Sequence, residues 1–199
     1  GYQTFYQCTS LTTVQFGENS QIANIGDYAF YGCSDLATVT FGENSQLTSI
    51  GEWAFAHCSS LTSITIPDKV TSIGGSAFYR CSSLADVYYS GDINDWVSIS
   101  FGDYDANPLN NGANLYLNGD TTTPVTGEIN IDTATSIGAY AFYGLDTLTK
   151  VTIGDQVTSI GNYAFSVCSS LTSITIPESV TSIGYEAFDG CSSLTTVTF

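Results

Sequence analysis

Cysteine is the residue type with reactive chemistry whose spacing is most regular in this sequence. The six cysteines are Cys8, Cys33, Cys58, Cys81, Cys168 and Cys191. Within each half of the chain, neighbours in this set are 23 or 25 residues apart, and no CxxC pair occurs, which argues against a zinc site. Two alternatives remain, namely disulfides between stacked repeats and a column of buried thiols. Leu145 stands where the spacing requires another cysteine. A column that accepts leucine mainly fills apolar space, as a buried free cysteine does, so this substitution favours free thiols over disulfides.

Catalytic side chains are the second kind of chemistry to consider. His57 is the single histidine. No motif surrounds it, whereas a nucleophilic triad needs a nucleophile, a base and an orienting acid. Among the 19 acidic residues, no pair stands out for glycoside cleavage. The sequence therefore predicts a protein that is not an enzyme and that needs no cofactor.

Three side chains of the segment GDYDANPLNNG have the spacing that opens a calcium-binding loop, namely Asp103, Asp105 and Asn107. Pro108 occupies the sixth place, where glycine is needed, and Asn114 occupies the place of the bidentate glutamate. This pattern favours a solvated acidic loop over a calcium site, and we expect no bound metal.

The charge balance narrows the classes of partner. Only three basic residues accompany the 19 acidic ones, so the formal net charge is −16. Because nucleic-acid affinity comes mostly from Lys and Arg, such a field repels phosphate backbones and anionic membranes. No run approaches the roughly 20 apolar residues of a membrane helix, and no signal peptide opens the sequence. We expect no nucleic-acid partner and no membrane insertion of this segment, and we expect any export signal or anchor to lie outside it.

An internal repeat sets the spacing of these residues. The letters LTSITIP occur at residues 61–67 and again at 171–177, within a unit that reads LxxIxIPxxVxxIGxxAFxxCxx. Phenylalanines recur at steps of 25, 25, 23, 64, 23 and 23 residues. They are Phe5, Phe30, Phe55, Phe78, Phe142, Phe165 and Phe188. One such unit cannot bury its own apolar side, so we expect stacked units with the seven phenylalanines in one buried file.

Each part of the unit predicts a local structure. L-x-x-I-x-I alternates as a half-buried strand does, with Ile64 and Ile66 facing inward. VTSIG adds a second short extended run, with Val70 and Ile73 facing inward. The xxAFxxC part has helical spacing but is too short for more than about one turn. The glycine of each IG pair is expected where the backbone is left-handed or where another backbone approaches closely.

LxxIxIP followed by VTSIGxxAFxxC resembles the BspA-type leucine-rich repeats of bacterial surface proteins, which are related to the treponemal repeat class. The 23-residue unit fits residues 61–83, 148–170 and 171–193, whereas residues 11–35 and 36–60 carry two extra residues in the GENSQ loop. The resemblance implies a leucine-rich repeat solenoid with parallel β-strands in each repeat and short helical or 3-10 turns, mostly β and loop. We expect residues 1–199 to form one solenoid domain.

The repeat is interrupted at about residues 85–124, where 41 extra residues are inserted. This segment begins as a strand, Asp92 is a plausible N-cap for a helix in INDWVSI, GDYDANPLNNG is expected as a loop, and ANLYLNGD as a returning strand. The resemblance implies a modified coil that keeps the stack continuous. Trp96 is then either a packing anchor or a ligand-binding residue.

Function is expected on the outward side of the strands, which is uncharged and regular over most of its length. The candidate ligand-binding residues are Thr38, Thr40, Ser63, Thr65, Tyr88, Trp96, Thr152 and Thr175. The resemblance implies an extracellular or cell-surface adhesion module for protein or glycan, with host matrix as a possible partner. One alternative is a structural module that self-assembles end to end through solenoid ends without polar caps. A further alternative is ice binding by the pairs Thr38/Thr40 and Thr196/Thr198.

Overall fold

A short strand opens each repeat, because small polar residues alternate there with branched apolar ones. The structure, a computed structural model, describes all of residues 1–199. In β5 (Ser63–Ile66), Ile64 and Ile66 are fully buried while Ser63 and Thr65 are half-exposed. Val70 and the second residue of β6 (Ser72–Ile73) are buried as well. The inward and outward positions predicted for this unit are therefore confirmed.

The strands form two series. The longer ones are β1 (Thr13–Gln15), β3 (Thr38–Thr40), β5, β7 (Asp86–Tyr89), β9 (Asn114–Tyr116), β10 (Gly127–Ile131), β12 (Leu148–Ile153), β14 (Ser173–Thr175) and β16 (Thr196–Thr198). The two-residue ones are β2 (Asn24–Ile25), β4 (Ser49–Ile50), β6, β8 (Ser100–Phe101), β11 (Ser136–Ile137), β13 (Ser159–Ile160) and β15 (Ser182–Ile183).

Equivalent strands of successive repeats pair in parallel. The longer strands form two sheets, in the orders β1-β3-β5-β7-β9 and β10-β12-β14-β16. The short strands form two more, in the orders β2-β4-β6-β8 and β11-β13-β15. At the inward-facing positions, apolar residues pair with apolar residues of the next repeat, as where Ile64 pairs with Val87. This arrangement confirms a leucine-rich repeat solenoid, and the identical register explains why the same letters recur in every unit.

The xxAFxxC segments are hydrogen-bonded turns, each with two residues in the left-handed region. The pairs are Gln3 and Gln7, Tyr28 and Gly32, Trp53 and His57, Ser76 and Arg80, Tyr140 and Gly144, Tyr163 and Val167, and Glu186 and Gly190. These turns form their own ladder, since the Phe30 N–H donates to the Ala54 carbonyl at 2.8 Å and the Phe55 N–H to the Ala77 carbonyl at 2.9 Å. This ladder of hydrogen bonds holds the backbone of these residues in the left-handed conformation, which L-residues otherwise avoid.

The glycines of the IG pairs do not adopt the left-handed conformation and are needed for another reason. None of them has a positive φ; each lies where the preceding repeat approaches closely. A Cβ atom added at Gly161 would lie 2.4 Å from the Ala139 nitrogen. Of the two alternatives predicted for this column, close backbone approach is therefore the correct one.

Val167 is the only β-branched residue in the left-handed positions, with φ of 61°. Other repeats have Gly32, Gly144 or Gly190 in this column. Because the left-handed conformation costs a residue with a Cβ atom about 1–2 kcal/mol, we expect Val167→Gly to raise the free energy of unfolding by about 1 kcal/mol. Urea denaturation measures the free energy of unfolding, and Gly190→Val is the reverse control. If Val167→Gly and the wild type were equally stable, the backbone at Val167 would not be strained.

The phenylalanine column forms two stacks instead of one file of seven. Four rings stack from Phe5 through Phe30 and Phe55 to Phe78, and three stack from Phe142 through Phe165 to Phe188. Adjacent ring centroids are 5.1 to 5.7 Å apart. The expectation of one file is wrong because the irregular segment supplies no ring of this column between the two stacks.

The irregular segment has more local structure than predicted. Asp92 caps helix α1 (Ile93–Trp96) in a capping box with Asp95, as expected, and β7 and β9 are the two predicted strands. GDYDANPLNNG was expected to be a loop, but it contains two 3-10 helices, Tyr104–Ala106 and Pro108–Asn111. They form because Asp103 and Asn107 accept hydrogen bonds from backbone N–H groups at their N-termini, and because Pro108 is suited to a first helical position.

The sheets do not continue through this segment, so the prediction of an unbroken stack is wrong for the strand ladders. β9 does not pair with β10, and β8 does not pair with β11. The apolar core nevertheless extends across as one cluster of 48 buried residues. In regular turns the carbonyl before the phenylalanine accepts a backbone N–H from the preceding repeat. At Ala141 it accepts instead from the indole Nε1 of Trp96 at 2.8 Å and from the Asn107 amide at 3.2 Å.

Asn107 is therefore a structural joint between the two halves. Its buried amide also donates to the Tyr140 carbonyl at 2.6 Å and accepts from the Leu109 N–H at 2.9 Å. We expect Asn107→Ala to lower the free energy of unfolding by about 2–3 kcal/mol, because it leaves buried backbone groups without partners. Urea midpoints measure this loss, and the exposed Asn111→Ala is the control. A loss no larger than that of the control would contradict the joint.

Candidate functional site

The outward surface of the first sheet contains a groove of about 370 Å³, which we name the strand-face groove. Its lining is Thr38, Val39, Thr40, Ser63, Thr65, Tyr88, Tyr89, Ser90, Gly119 and Thr121. Five of the eight candidate residues predicted from the sequence thus lie together at one concavity. The sequence pattern did not indicate the wall that Gly119 and Thr121 contribute, because these residues lie outside the repeat.

Strand register produces the polar lining. Thr38 pairs with Ser63 across β3 and β5, and Thr65 pairs with Tyr88 across β5 and β7. Because the alternating apolar residues of these strands are buried, the hydroxyl groups between them all point to the same outer side. The groove therefore offers hydroxyl donors and acceptors along a regular row, without a charged side chain.

One end of the groove is closed by aromatic and loop residues. The Tyr88 ring lies 4.8 Å from the Tyr116 ring, centroid to centroid. In the following loop, the Asp120 carboxylate accepts hydrogen bonds from the hydroxyl and the N–H of Thr122, each at 2.7 Å. The hydrogen bond from the Thr122 hydroxyl, with that of the N–H, lowers the pKa of Asp120 to about 2. This carboxylate stays ionised at physiological pH and stabilises the turn formed by residues 120–123.

The candidates Thr152 and Thr175 lie on the second sheet, outside the groove. They pair with each other across β12 and β14 and face outward. Their neighbour Lys150 binds the Glu128 carboxylate at 3.2 Å, in an exposed pair. The outer face is thus divided into a hydroxyl-lined groove on the first sheet and a flatter surface with an ion pair on the second.

Trp96 is not a ligand-binding residue, and that part of the prediction is wrong. Its side chain is fully buried, and its ring packs against Tyr89 and Phe101 at centroid distances of 5.4 and 5.5 Å. Its only polar atom donates to the Ala141 carbonyl. Trp96 is the packing anchor of the irregular segment, which was the other alternative that the sequence left open.

The cysteine column has a structural role. All six cysteines are free thiols. In five of them the thiol lies within hydrogen-bond distance of the phenylalanine carbonyl of the preceding repeat, as in Cys58 to Phe30 at 3.2 Å and Cys81 to Phe55 at 3.1 Å. Leu145 follows the irregular segment, which has no phenylalanine of this column. Five of the six cysteines thus face a carbonyl that can accept the S–H group, and at Leu145 a buried apolar side chain fills the column instead.

Burial raises the pKa of the Cys81 thiol to about 12 and also raises that of Cys58 and Cys168. A thiol whose pKa is raised by folding favours the folded state below its unfolded pKa of about 9, and this contribution is lost as the pH rises from there toward the folded pKa. We expect the melting temperature to be constant from about pH 6 to 8 and to fall above pH 9.

Thiol titration with Ellman's reagent checks the same column under native conditions. Cys8 is exposed and should react at once, whereas Cys33, Cys58, Cys81 and Cys168 should react only after unfolding in urea. Reaction of all six thiols in the folded chain would contradict the buried column.

The carboxylates of the calcium-like pattern are already engaged within the protein. Asp103 accepts hydrogen bonds from the Ser76 N–H at 2.9 Å, the Ser76 hydroxyl at 3.1 Å and the Ala106 N–H at 2.8 Å. Asp105 accepts from the Asn110 amide at 2.7 Å. No group of three or more His, Cys, Asp or Glu side chains is placed to hold a metal ion.

No helix has the length and apolar character needed to cross a membrane.

A second surface, which the sequence analysis missed, lies along the turns. We name it the turn-side aromatic strip. It consists of two groups of rings that contact one another from repeat to repeat. The N-terminal half is Tyr2, Tyr6, Tyr28, Tyr31, Trp53, His57 and Tyr79, and the C-terminal half is Tyr104, Tyr140, Tyr143, Tyr163 and Tyr185. The sequence signal was available, because tyrosine or tryptophan recurs two residues before, and tyrosine one residue after, several phenylalanines of the repeat.

His57 is a member of this strip. Its ring lies 5.1 Å from that of Tyr31 and 5.5 Å from that of Tyr79. Partial burial, with the positive charge of Arg80, lowers the pKa of His57. The half-buried imidazole packs between tyrosines on the surface.

The stacked parallel coils, with their cysteine and phenylalanine columns and their hydroxyl-lined outer face, define a leucine-rich repeat solenoid, a class whose members generally mediate protein interactions. The model of the family described as BspA type Leucine rich repeat region matches residues 1–110 and 125–199, in six copies. The chain therefore belongs to the BspA-type leucine-rich repeat family.

Solved structures with the same fold come from several bacteria. The T. pallidum leucine-rich repeat protein TpLRR is 24% identical with a TM-score of 0.57, over 92% of this chain and 78% of that protein. A leucine-rich repeat protein from Eubacterium ventriosum is 23% identical with a TM-score of 0.50, over 95% of this chain and 60% of that one.

A third structure, described as a leucine rich cell surface protein from Faecalibacterium prausnitzii, is 26% identical with a TM-score of 0.42, over 95% of this chain and 61% of that one. The chain thus spans about three fifths of the length of two of these three proteins. Curated protein sequences give no significant match.

Proposed function

We propose that the chain is a non-catalytic recognition module of a bacterial surface protein, which binds protein or glycan through the strand-face groove on its first sheet. The strand-face groove carries this proposal, because five aligned hydroxyl and tyrosine side chains line a concave surface of about 370 Å³. Serine and threonine hydroxyls can bond to the backbone amides of an extended peptide and to sugar hydroxyls, and Tyr88 adds an aromatic face. Host matrix proteins are one class of partner, and the extracellular location is part of the proposal.

The 199-residue chain, immobilised and presented with host matrix proteins and a glycan panel at physiological salt, tests this function. Thr65→Glu places a longer charged side chain in the centre of the groove and should abolish binding. Thr175→Glu makes the same change on the second sheet and should leave binding unchanged. Binding that both variants retain would overturn the groove as the site, and a wild-type chain that binds nothing on either panel would overturn the recognition function.

A further inference from the structure

The C-terminal half of the turn-side aromatic strip forms a groove of about 310 Å³, which we name the tyrosine groove. Its lining includes Tyr104, Tyr140, Tyr143, Tyr163, Glu186 and Asp189. The Tyr140 and Tyr163 rings are stacked at 5.2 Å with an interplanar angle of 6°, and the Tyr143 ring lies 5.7 Å from the Tyr104 ring. The surface therefore combines adjacent aromatic rings with carboxylates.

No cation of the chain balances these carboxylates. Lys69 donates to the Gln46 side chain, Lys150 binds Glu128, and Arg80 lies on Tyr79 in the other half of the strip. The negative charge acts on the tyrosines themselves. The charge of Asp105 raises the pKa of Tyr104, and the adjacent Glu186 carboxylate raises the pKa of Tyr185 beside the groove.

The chain already contains one contact of the kind that this groove could make. The guanidinium carbon of Arg80 lies 5.3 Å from the centroid of the Tyr79 ring, within the range of a cation–π interaction. Arg80 directly follows Tyr79, whereas Gly144 directly follows Tyr143 at the equivalent position. The N-terminal half of the strip thus supplies one cation to its own tyrosines, whereas the equivalent position of the C-terminal half is a glycine and carries no side chain.

We propose that the tyrosine groove binds an arginine side chain of a basic segment in a protein partner. A planar guanidinium can lie on a tyrosine ring while its N–H groups donate to a carboxylate, which a lysine ammonium cannot do with the same geometry. The net charge of −16 favours approach of a basic segment. This surface lies on the turns, apart from the strand-face groove, so it does not depend on the function proposed above.

Calorimetry with a blocked Gly-Arg-Gly-Arg-Gly peptide and its lysine counterpart tests the proposal at about 0.15 M salt, where distant charges are screened. The arginine peptide should bind several-fold more tightly than the lysine peptide. The double variant Glu186→Gln/Asp189→Asn should weaken binding of the arginine peptide by about tenfold. Asp155→Asn/Glu178→Gln removes the same charge from exposed residues in loops after the strands and should change affinity less than about twofold.

Two further variants separate the aromatic contribution and the position. Tyr163→Leu keeps an apolar side chain without the ring and should weaken binding about two- to fivefold, whereas Tyr28→Leu, in the other half of the strip, should not. Gly144→Arg reproduces the Tyr79–Arg80 pair at Tyr143 and should block the peptide, whereas Thr172→Arg adds the same charge elsewhere and should not.

Circular dichroism confirms that each variant is folded. Equal losses in the two charge-removal variants would show general electrostatic attraction only and would overturn the proposal. Absence of binding by the wild type, or equal affinity for the two peptides, would overturn it as well.

Discussion

Replacement of Phe55 by alanine is expected to lower the free energy of unfolding by about 3–5 kcal/mol. The side chain is fully buried, and its ring is stacked between Phe30 at 5.2 Å and Phe78 at 5.7 Å. Truncation removes apolar burial and leaves a cavity that backbone ladders on both sides prevent from closing. Because whole domains are typically stable by only about 5–15 kcal/mol, the loss should be visible as a large shift of the urea midpoint.

Phe5 provides the matched control, since it belongs to the same stack but is 44% exposed and contacts a single neighbouring ring of the column. We expect Phe5→Ala to cost about 1 kcal/mol. Equal losses at the two positions would contradict the stack as the main stabiliser of the N-terminal half. The comparison should be made at constant protein concentration, so that association of chains does not alter the midpoint.

Replacement of Gly161 by alanine is expected to cost about 3 kcal/mol, although it adds a single methyl group. The new Cβ atom would lie 2.4 Å from the Ala139 nitrogen and 2.7 Å from the Gly138 carbonyl carbon, both of them backbone atoms of the preceding repeat. Relief of this overlap requires the two repeats to move apart, which lengthens the β11–β13 ladder that adjoins the glycine. The melting temperature measures the effect.

Gly17→Ala is the control, because a Cβ atom there would have nothing within 4 Å. Like Gly161, Gly17 has no positive φ, so the added methyl group causes no backbone strain. We expect this variant to be as stable as the wild type or slightly more so. A melting temperature for Gly161→Ala that matches that of Gly17→Ala would show that the repeats are packed less closely than described.

The sequence was sufficient to predict the strands and their inward residues, because the period of two is repeated in every unit. Ile64 and Ile66 show why this works, since each is buried and each has an apolar partner in the next repeat. The outward positions follow from the same alternation, so five residues of the strand-face groove could be predicted. Its loop wall could not, because Gly119 and Thr121 reach the groove through the path of a non-repeating loop.

Other features depend on contacts between residues far apart in the sequence. The joint between Asn107 and Tyr140 spans 33 residues and exists only once both halves are folded. The two 3-10 helices depend on the N-caps Asp103 and Asn107, and the surrounding sequence has the composition of a loop. The left-handed positions were also unpredictable, since inter-repeat hydrogen bonds impose them on residues as unsuited as Val167. In such positions tertiary structure overrides local preference.

The interruption of the strand ladders has a consequence for cooperativity. In a solenoid each unit is coupled only to its neighbours, so a boundary made of a few isolated hydrogen bonds and apolar packing transmits less than a full strand ladder. We therefore expect the two halves to open separately although they share one apolar core, and native-state hydrogen exchange should resolve them as separate protection classes. Because the strand ladders on the two sides of the irregular segment are separate, repeats could be added or lost on one side during evolution without changing the strand register on the other.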